Sequence, residues 1–190
     1  MPRPTLVEVT RSGIGLARRG LAIITIAGVL AAVGSAQAAV IDDRNFARGP
    51  LDLKLLEGTK HDAGASLRLR LVTYQRWKAS IIDASGRNRF YFLFNTDRSG
   101  GADFIGEVFR ATNGHLVMRI TNSDGQFLKR VRAYHPNPRT LRTTVPRGLP
   151  NPDGNVWIAA LERYWGTTVC VNGCHDRIPN KGWMKLTPGQ

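Results

Sequence analysis

Four oxygen-bearing side chains, Asn95, Asp97, Ser99 and Asp103, fall within the stretch NTDRSGGADF (95–104). Calcium takes about six to eight oxygen ligands and tolerates irregular loops, so these four, helped by backbone carbonyls and water, make a candidate calcium site. The D-x-[DN]-x-[DN]-G loop pattern is missing, however, and Arg98 brings a positive charge into the same loop. Asn and Asp also cap turns by hydrogen bonding to nearby backbone. The stretch therefore has two open readings, a calcium site and a hairpin turn, and the missing pattern favours the turn.

The second constellation is CVNGCH (170–175). Haem attachment uses C-x-x-C-H, and here the cysteines stand one residue further apart. Zinc through Cys170, Cys174 and His175 lacks a fourth ligand. Asn172-Gly173 is a strong hairpin signal, so the pair is expected as a disulfide clipping a hairpin tip. Hydrolase signatures such as G-x-S-x-G and H-E-x-x-H are absent. Asp83, Asp103 and Glu107 are the carboxylates that invite comparison with a glycosidase pair.

The third constellation is basic. In SLRLRLVTY, Leu67, Leu69 and Leu71 alternate with Arg68 and Arg70; in QFLKRVRAY, Arg130, Arg132 and Tyr134 share one face with Leu128. Phe127, Val131 and Ala133 share the other face, where Lys129 breaks the apolar pattern. Arg119 and Arg142 are candidates for similar outward positions. Arginine interleaved with tyrosine suits a polyanionic or glycan ligand through charge and stacking. An ordinary solvated sheet face, with arginine stems covering apolar surface, has the same pattern.

These residues need elements to hold them. Apolar residues alternate with period two over 51–56, 66–74, 104–109, 115–120, 126–134 and 140–145, while FYFLF (90–94) is apolar on both faces. VWIAALERY (156–164) leans towards strand through Val, Ile and Trp. Turns rich in Gly, Pro, Asn and Asp separate these runs. The expected fold is all-β: one jelly-roll-like β-sandwich of about eight or nine mostly antiparallel strands. Leu51, Leu53 and Leu55 are expected inside, with Asp52 and Lys54 outside. Pro136 and Pro138 are expected to keep a sheet edge unpaired. The ends, 39–50 and 180–190, are expected to be loose.

Ahead of this lies an export leader. Residues 1–19 carry four arginines against Glu8, GLAIITIAGVLAAVG is apolar, and Ala36-Gln37-Ala38 offers a cleavage site. The expected organisation is a helical signal peptide over 1–38, cut after Ala38, and one domain over 39–190. The whole chain has net charge +13; residues 1–38 hold four of its 27 basic and one of its 14 acidic residues, which leaves the domain at +10. Outside the membrane that excess points to envelope polymers rather than to nucleic acid, with no stable span after cleavage.

Four stretches, PLDLKLLEG, LVTYQRWKAS, FYFLFNTDRSGGADFIGEVFR and CxxxCHDRIPNKG, together resemble a group of exported bacterial β-sandwich domains without an assigned biochemical function. More distantly, the strand ending F-N-T-D, the Gly-rich turn and A-D-F are similar to DOMON and carbohydrate-binding-module sandwiches, which implies sugar or haem as a ligand class. The sequence thus points to a secreted or envelope-bound module. It is expected to be non-enzymatic and to bind an anionic or sugar-containing polymer, with no cofactor unless calcium occupies the 95–103 loop. The alternatives are a carbohydrate-active hydrolase using Asp or Glu, or a calcium- or haem-binding sandwich.

Overall fold

The computed structural model describes residues 38–44, 49–61, 66–83, 85–98, 100–146, 154–166 and 168–186. The chain divides into two units, Met1–Ala32 and Val33–Gln190, and every described residue belongs to the second. The expected leader lies outside the described residues except for Ala38, which opens the first strand.

Eleven strands follow in order: β1 (Ala38–Asp42), β2 (Leu53–His61), β3 (Ser66–Thr73), β4 (Arg89–Asn95), β5 (Phe104–Arg110), β6 (Leu116–Asn122), β7 (Phe127–Asn137), β8 (Thr140–Pro146), β9 (Val156–Tyr164), β10 (Cys174–Ile178) and β11 (Met184–Leu186). Among the described residues one 3-10 turn covers Ala79–Ile81 and no α-helix occurs. Every strand pair is antiparallel, in the order β1-β2-β3-β8-β7-β6-β5-β4-β9-β10, with β11 also on β9. The fold is all-β as expected, but it is not a two-sheet sandwich of eight or nine strands. It is one continuous sheet that curls until β1 lies beside β11, nearly closing on itself.

Strand β7 makes the curl possible. Its first part pairs with β6 through Phe127–Arg132, and its last part pairs with β8 from Ala133 to Asn137. At the fork between them, the Thr143 hydroxyl donates to the Arg132 carbonyl at 3.0 Å. Among the described residues no strand pairs with Phe127–Arg132 on the side away from β6. This accounts for Lys129, whose inward position by parity opens to solvent at a free edge. A charge there opposes strand addition.

Three sequence expectations need correction here. Pro136 does not leave an edge unpaired: it sits at a register shift between Tyr134 and Asn137, where a bulge absorbs its missing N–H. Beyond it, the Pro138 carbonyl accepts from the Trp77 N–H at 2.8 Å. The Leu51/Leu53/Leu55 alternation also breaks, because a shift between Leu53 and Leu55 sends Leu56 inward and leaves Leu55 half-buried. The ends are not loose throughout, since β1 and β11 pair within 39–50 and 180–190.

The core is filled by inward residues of opposing strands, among them Leu56, Leu69, Phe90, Phe92, Phe94, Met118 and Ile158. Gly58 lies where β2 crosses β9 and β11: a Cβ there would meet Leu186 Cδ1 at 2.8 Å and Ile158 Cδ1 at 2.9 Å. Overpacking of this kind costs about 1–3 kcal/mol. Gly58→Val is accordingly expected to lower the urea midpoint by that equivalent, and an unchanged midpoint would show that the two walls yield freely.

Candidate functional site

The outer face of β2, β3, β8 and β7 holds a groove of about 530 Å³. Its lining includes Thr59, Arg68, Arg70, Tyr134, Arg142 and Thr144. Register explains why these meet. Glu57 lies opposite Arg70, Arg70 opposite Arg142, and Arg142 opposite Tyr134, so one row crosses four strands. The next row runs Thr59, Arg68, Thr144. Each of these residues alternates with an inward one such as Leu69 or Leu71, which is what keeps the arginines outside.

The electrostatics of the groove are unbalanced. Arg70 Nη1 donates to Glu57 Oε2 at 2.8 Å, but its buried Nε has no partner among the described residues. Arg68 and Arg142 make no ion pair among the described residues. Like charges directly opposite each other destabilise an antiparallel pair, and Arg70 faces Arg142. Adjacent strands lie about 4.8 Å apart, so three guanidinium forks can converge on one phosphate, sulfate or carboxylate.

Of the residues singled out from sequence, Arg68, Arg70 and Tyr134 are brought together, and Arg142 joins them. Arg132 adjoins them through Tyr134, its guanidinium 5.0 Å from the ring centroid. Arg130 does not line the groove: it pairs with Arg119 in the β6 half, and both guanidinium groups lie over Phe109, at 5.6 and 5.9 Å. The bend in β7 separates residues that parity alone puts on one face.

The loop of 95–104 is built as a hairpin turn. Asn95 Nδ2 donates to the Gly101 carbonyl at 2.6 Å, and its Oδ1 accepts from the Arg98 N–H at 2.6 Å. That bond holds Arg98 at φ 64°, in the left-handed region. Asp103 Oδ2 accepts from the Thr96 N–H at 2.6 Å and from the Thr96 hydroxyl at 2.8 Å. Asp97 is exposed in the same turn, and Ser99 lies outside the described residues. No group of three or more His, Cys, Asp or Glu side chains is arranged for a metal among the described residues.

Cys170 and Cys174 form a disulfide, with Cα atoms 5.1 Å apart. The bridge is not at a two-residue tip between paired strands. Cys174 already pairs with Tyr164, so the connection is the longer segment 165–173, and the disulfide closes a turn inside it. The hydrolase carboxylates are dispersed. Glu107 accepts from Arg89 Nε at 3.1 Å and from Arg119, Asp83 lies 3.7 Å from the same Arg89, and Asp103 sits at the far end of the β4–β5 hairpin.

A polar constellation escaped sequence reasoning. Asp52, Glu162 and Asp176 are buried together between β9, β10 and the start of β2. Glu162 pairs with Asp176 across the strands, and Asp176 Oδ2 accepts from the Leu53 N–H at 2.8 Å. Among the described residues, no donor outside this cluster of acids reaches the oxygens of Asp52 or Glu162. Burial, then the charges of Asp176 and Asp52, pushes the Glu162 carboxyl up to about 8; burial, then the Asp176 charge, pushes Asp52 up to about 7. Asp176 is raised too, chiefly by burial. The signal was available for Glu162, which shares parity with Val156, Ile158 and Ala160. Closed to solvent, the three carboxyls are placed to hold protons inside the fold rather than to meet a substrate.

Compared with models of protein families, with curated proteins and with solved structures, the chain matches none.

Proposed function

We propose that this protein is a non-enzymatic binding module of the cell envelope, exported and cut after Ala38, that recognises an anionic, sugar-containing polymer along the outer face of β2, β3, β8 and β7. The observation carrying this reading is the confrontation of Arg70, which Glu57 engages, with Arg142, which has no ion pair among the described residues, with Arg68 in the next row of the same groove. An anion lying between these strands supplies the counter-charge that Arg68 and Arg142 lack among the described residues, and guanidinium forks match its oxygens in pairs. Tyr134, Thr59 and Thr144 add an aromatic edge and hydroxyls suited to the sugar part of such a chain. The groove volume falls within the range of about 300–1,000 Å³ common to ligand sites.

Titration against heparin as a defined polyanion, with neutral dextran as the control, tests the reading. Heparin binding is expected to weaken steeply with added salt. Replacing Arg68, Arg70 and Arg142 together by alanine is expected to lower affinity by roughly tenfold per arginine, the worth of a hydrogen bond to a charged group. Equal affinity of parent and triple variant, or indifference to salt, would remove the groove from the account.

A further inference from the structure

The connection between β9 and β10 presents a second surface, unrelated to the groove. Trp165, Val169 and Val171 are 37%, 42% and 61% exposed on a single short segment. The segment is held firmly. The Cys170–Cys174 bridge closes its last turn, the Cys170 carbonyl accepts from Gly173 N–H at 2.8 Å and Gly166 N–H at 3.3 Å, and Cys170 itself takes φ 65°. Asn88 Oδ1 accepts from the Trp165 N–H at 2.8 Å, tying the segment to the connection before β4. The indole lies so close over Gly173 that a Cβ there would meet its ring at 2.8 Å. Val169 and Val171 are thus exposed, with one part of the indole, on a knuckle whose hydrogen bonds and disulfide have already reduced its conformational freedom.

The rim of that knuckle is basic. Arg163 lies over the Trp165 ring at 5.6 Å and pairs with His175 on β10 and Arg89 on β4. The connections at this end of the sheet also carry exposed Arg87, Arg110 and His115. Asp83 is the acidic side chain among their described residues, and it is engaged by Ser85 and Arg89. Tryptophan and valine at the tip with arginine behind them match an interface where apolar chains lie under anionic head groups. A second copy of this chain is a poorer fit, since a stable protein interface needs about 800 Å² per partner and three side chains fall well short.

We infer that the disulfide-clipped knuckle Trp165–Cys174 inserts Trp165, Val169 and Val171 into the surface of an anionic lipid bilayer. The probe is the full chain mixed with vesicles of phosphatidylglycerol and brominated phosphatidylcholine, read by quenching of tryptophan fluorescence. Residues 1–38 contain no tryptophan, so the signal comes from the folded unit alone. Quenching is expected in the parent, lost in W165F, and reduced on the order of tenfold in V169D/V171D, whose valines no longer favour the apolar phase. The R68A/R70A/R142A variant is expected to quench like the parent, because the groove takes no part. Absence of quenching in the parent would overturn the inference. So would undiminished quenching in W165F or V169D/V171D, or a loss confined to the groove variant.

Discussion

Between about pH 5 and about pH 8 the protein is expected to lose stability with every step upward, and Glu162→Gln is expected to remove much of that loss. Folding raises the carboxyl of Glu162 from 4.5 to about 8 and that of Asp52 from 3.8 to about 7. The native state therefore holds protons that the unfolded chain has released. Their contribution is complete below about pH 4 and is gone once the pH passes the folded values, so the slope is negative. Each such proton is worth about 1.4 kcal/mol per pH unit while it is retained only by the native state. The charge of Asp176 raises both carboxyls further, with Asp52 adding to Glu162 and Asp43 to Asp52, and no ion pair reaches the three buried acids among the described residues. Urea midpoints of parent and E162Q should nearly coincide at about pH 5 and separate at about pH 8, with the variant the more stable. Parallel pH profiles would mean that Glu162 remains ionised in the fold, bringing water with it.

Phe92→Ala is expected to cost about 3–5 kcal/mol, read as a shift in urea midpoint. Phe92 is fully buried in the middle of β4 and registered between Gly106 on β5 and Ala160 on β9. Both neighbours are small, so neither side chain can extend into the space the ring leaves. Met118 Sδ already fills the position a Cβ of Gly106 would occupy. The cavity should therefore persist instead of collapsing, which places the cost high in the range. A loss under about 1 kcal/mol would require β5 or β9 to move inward as a whole.

Of the eleven strands described, six were readable from period-two alternation, as with the inward leucines of β3; β4 was readable as a run apolar on both faces and β9 from its Val, Ile and Trp. β1, β10 and β11 were not. They have five, five and three residues, and CHDRI carries its buried Asp176 at an inward position where an apolar residue would have announced a strand. The groove was half readable. Alternation shows that Arg68 and Arg70 point outward, but that β3 lies beside β8 is a pairing across some seventy residues, with no local trace. Arg142 was thus a candidate whose neighbours only the fold reveals. Arg130 shows the opposite error, since parity is a local rule and β7 changes partners halfway along its length. Asp52 was missed because the leucine pattern of 51–56 places it outward, whereas the start of β2 packs against β10 and buries it beside Asp176.

That shared strand also has a bearing on descent. A protein made of two separable sheets can lose, duplicate or exchange one of them and keep a working remainder. Here any cut that spares the groove row of Tyr134 and Arg142 divides a strand whose other half is hydrogen-bonded to β6. Recombination inside 127–137 would leave both fragments with a torn edge, so the eleven strands are expected to be inherited as one indivisible block.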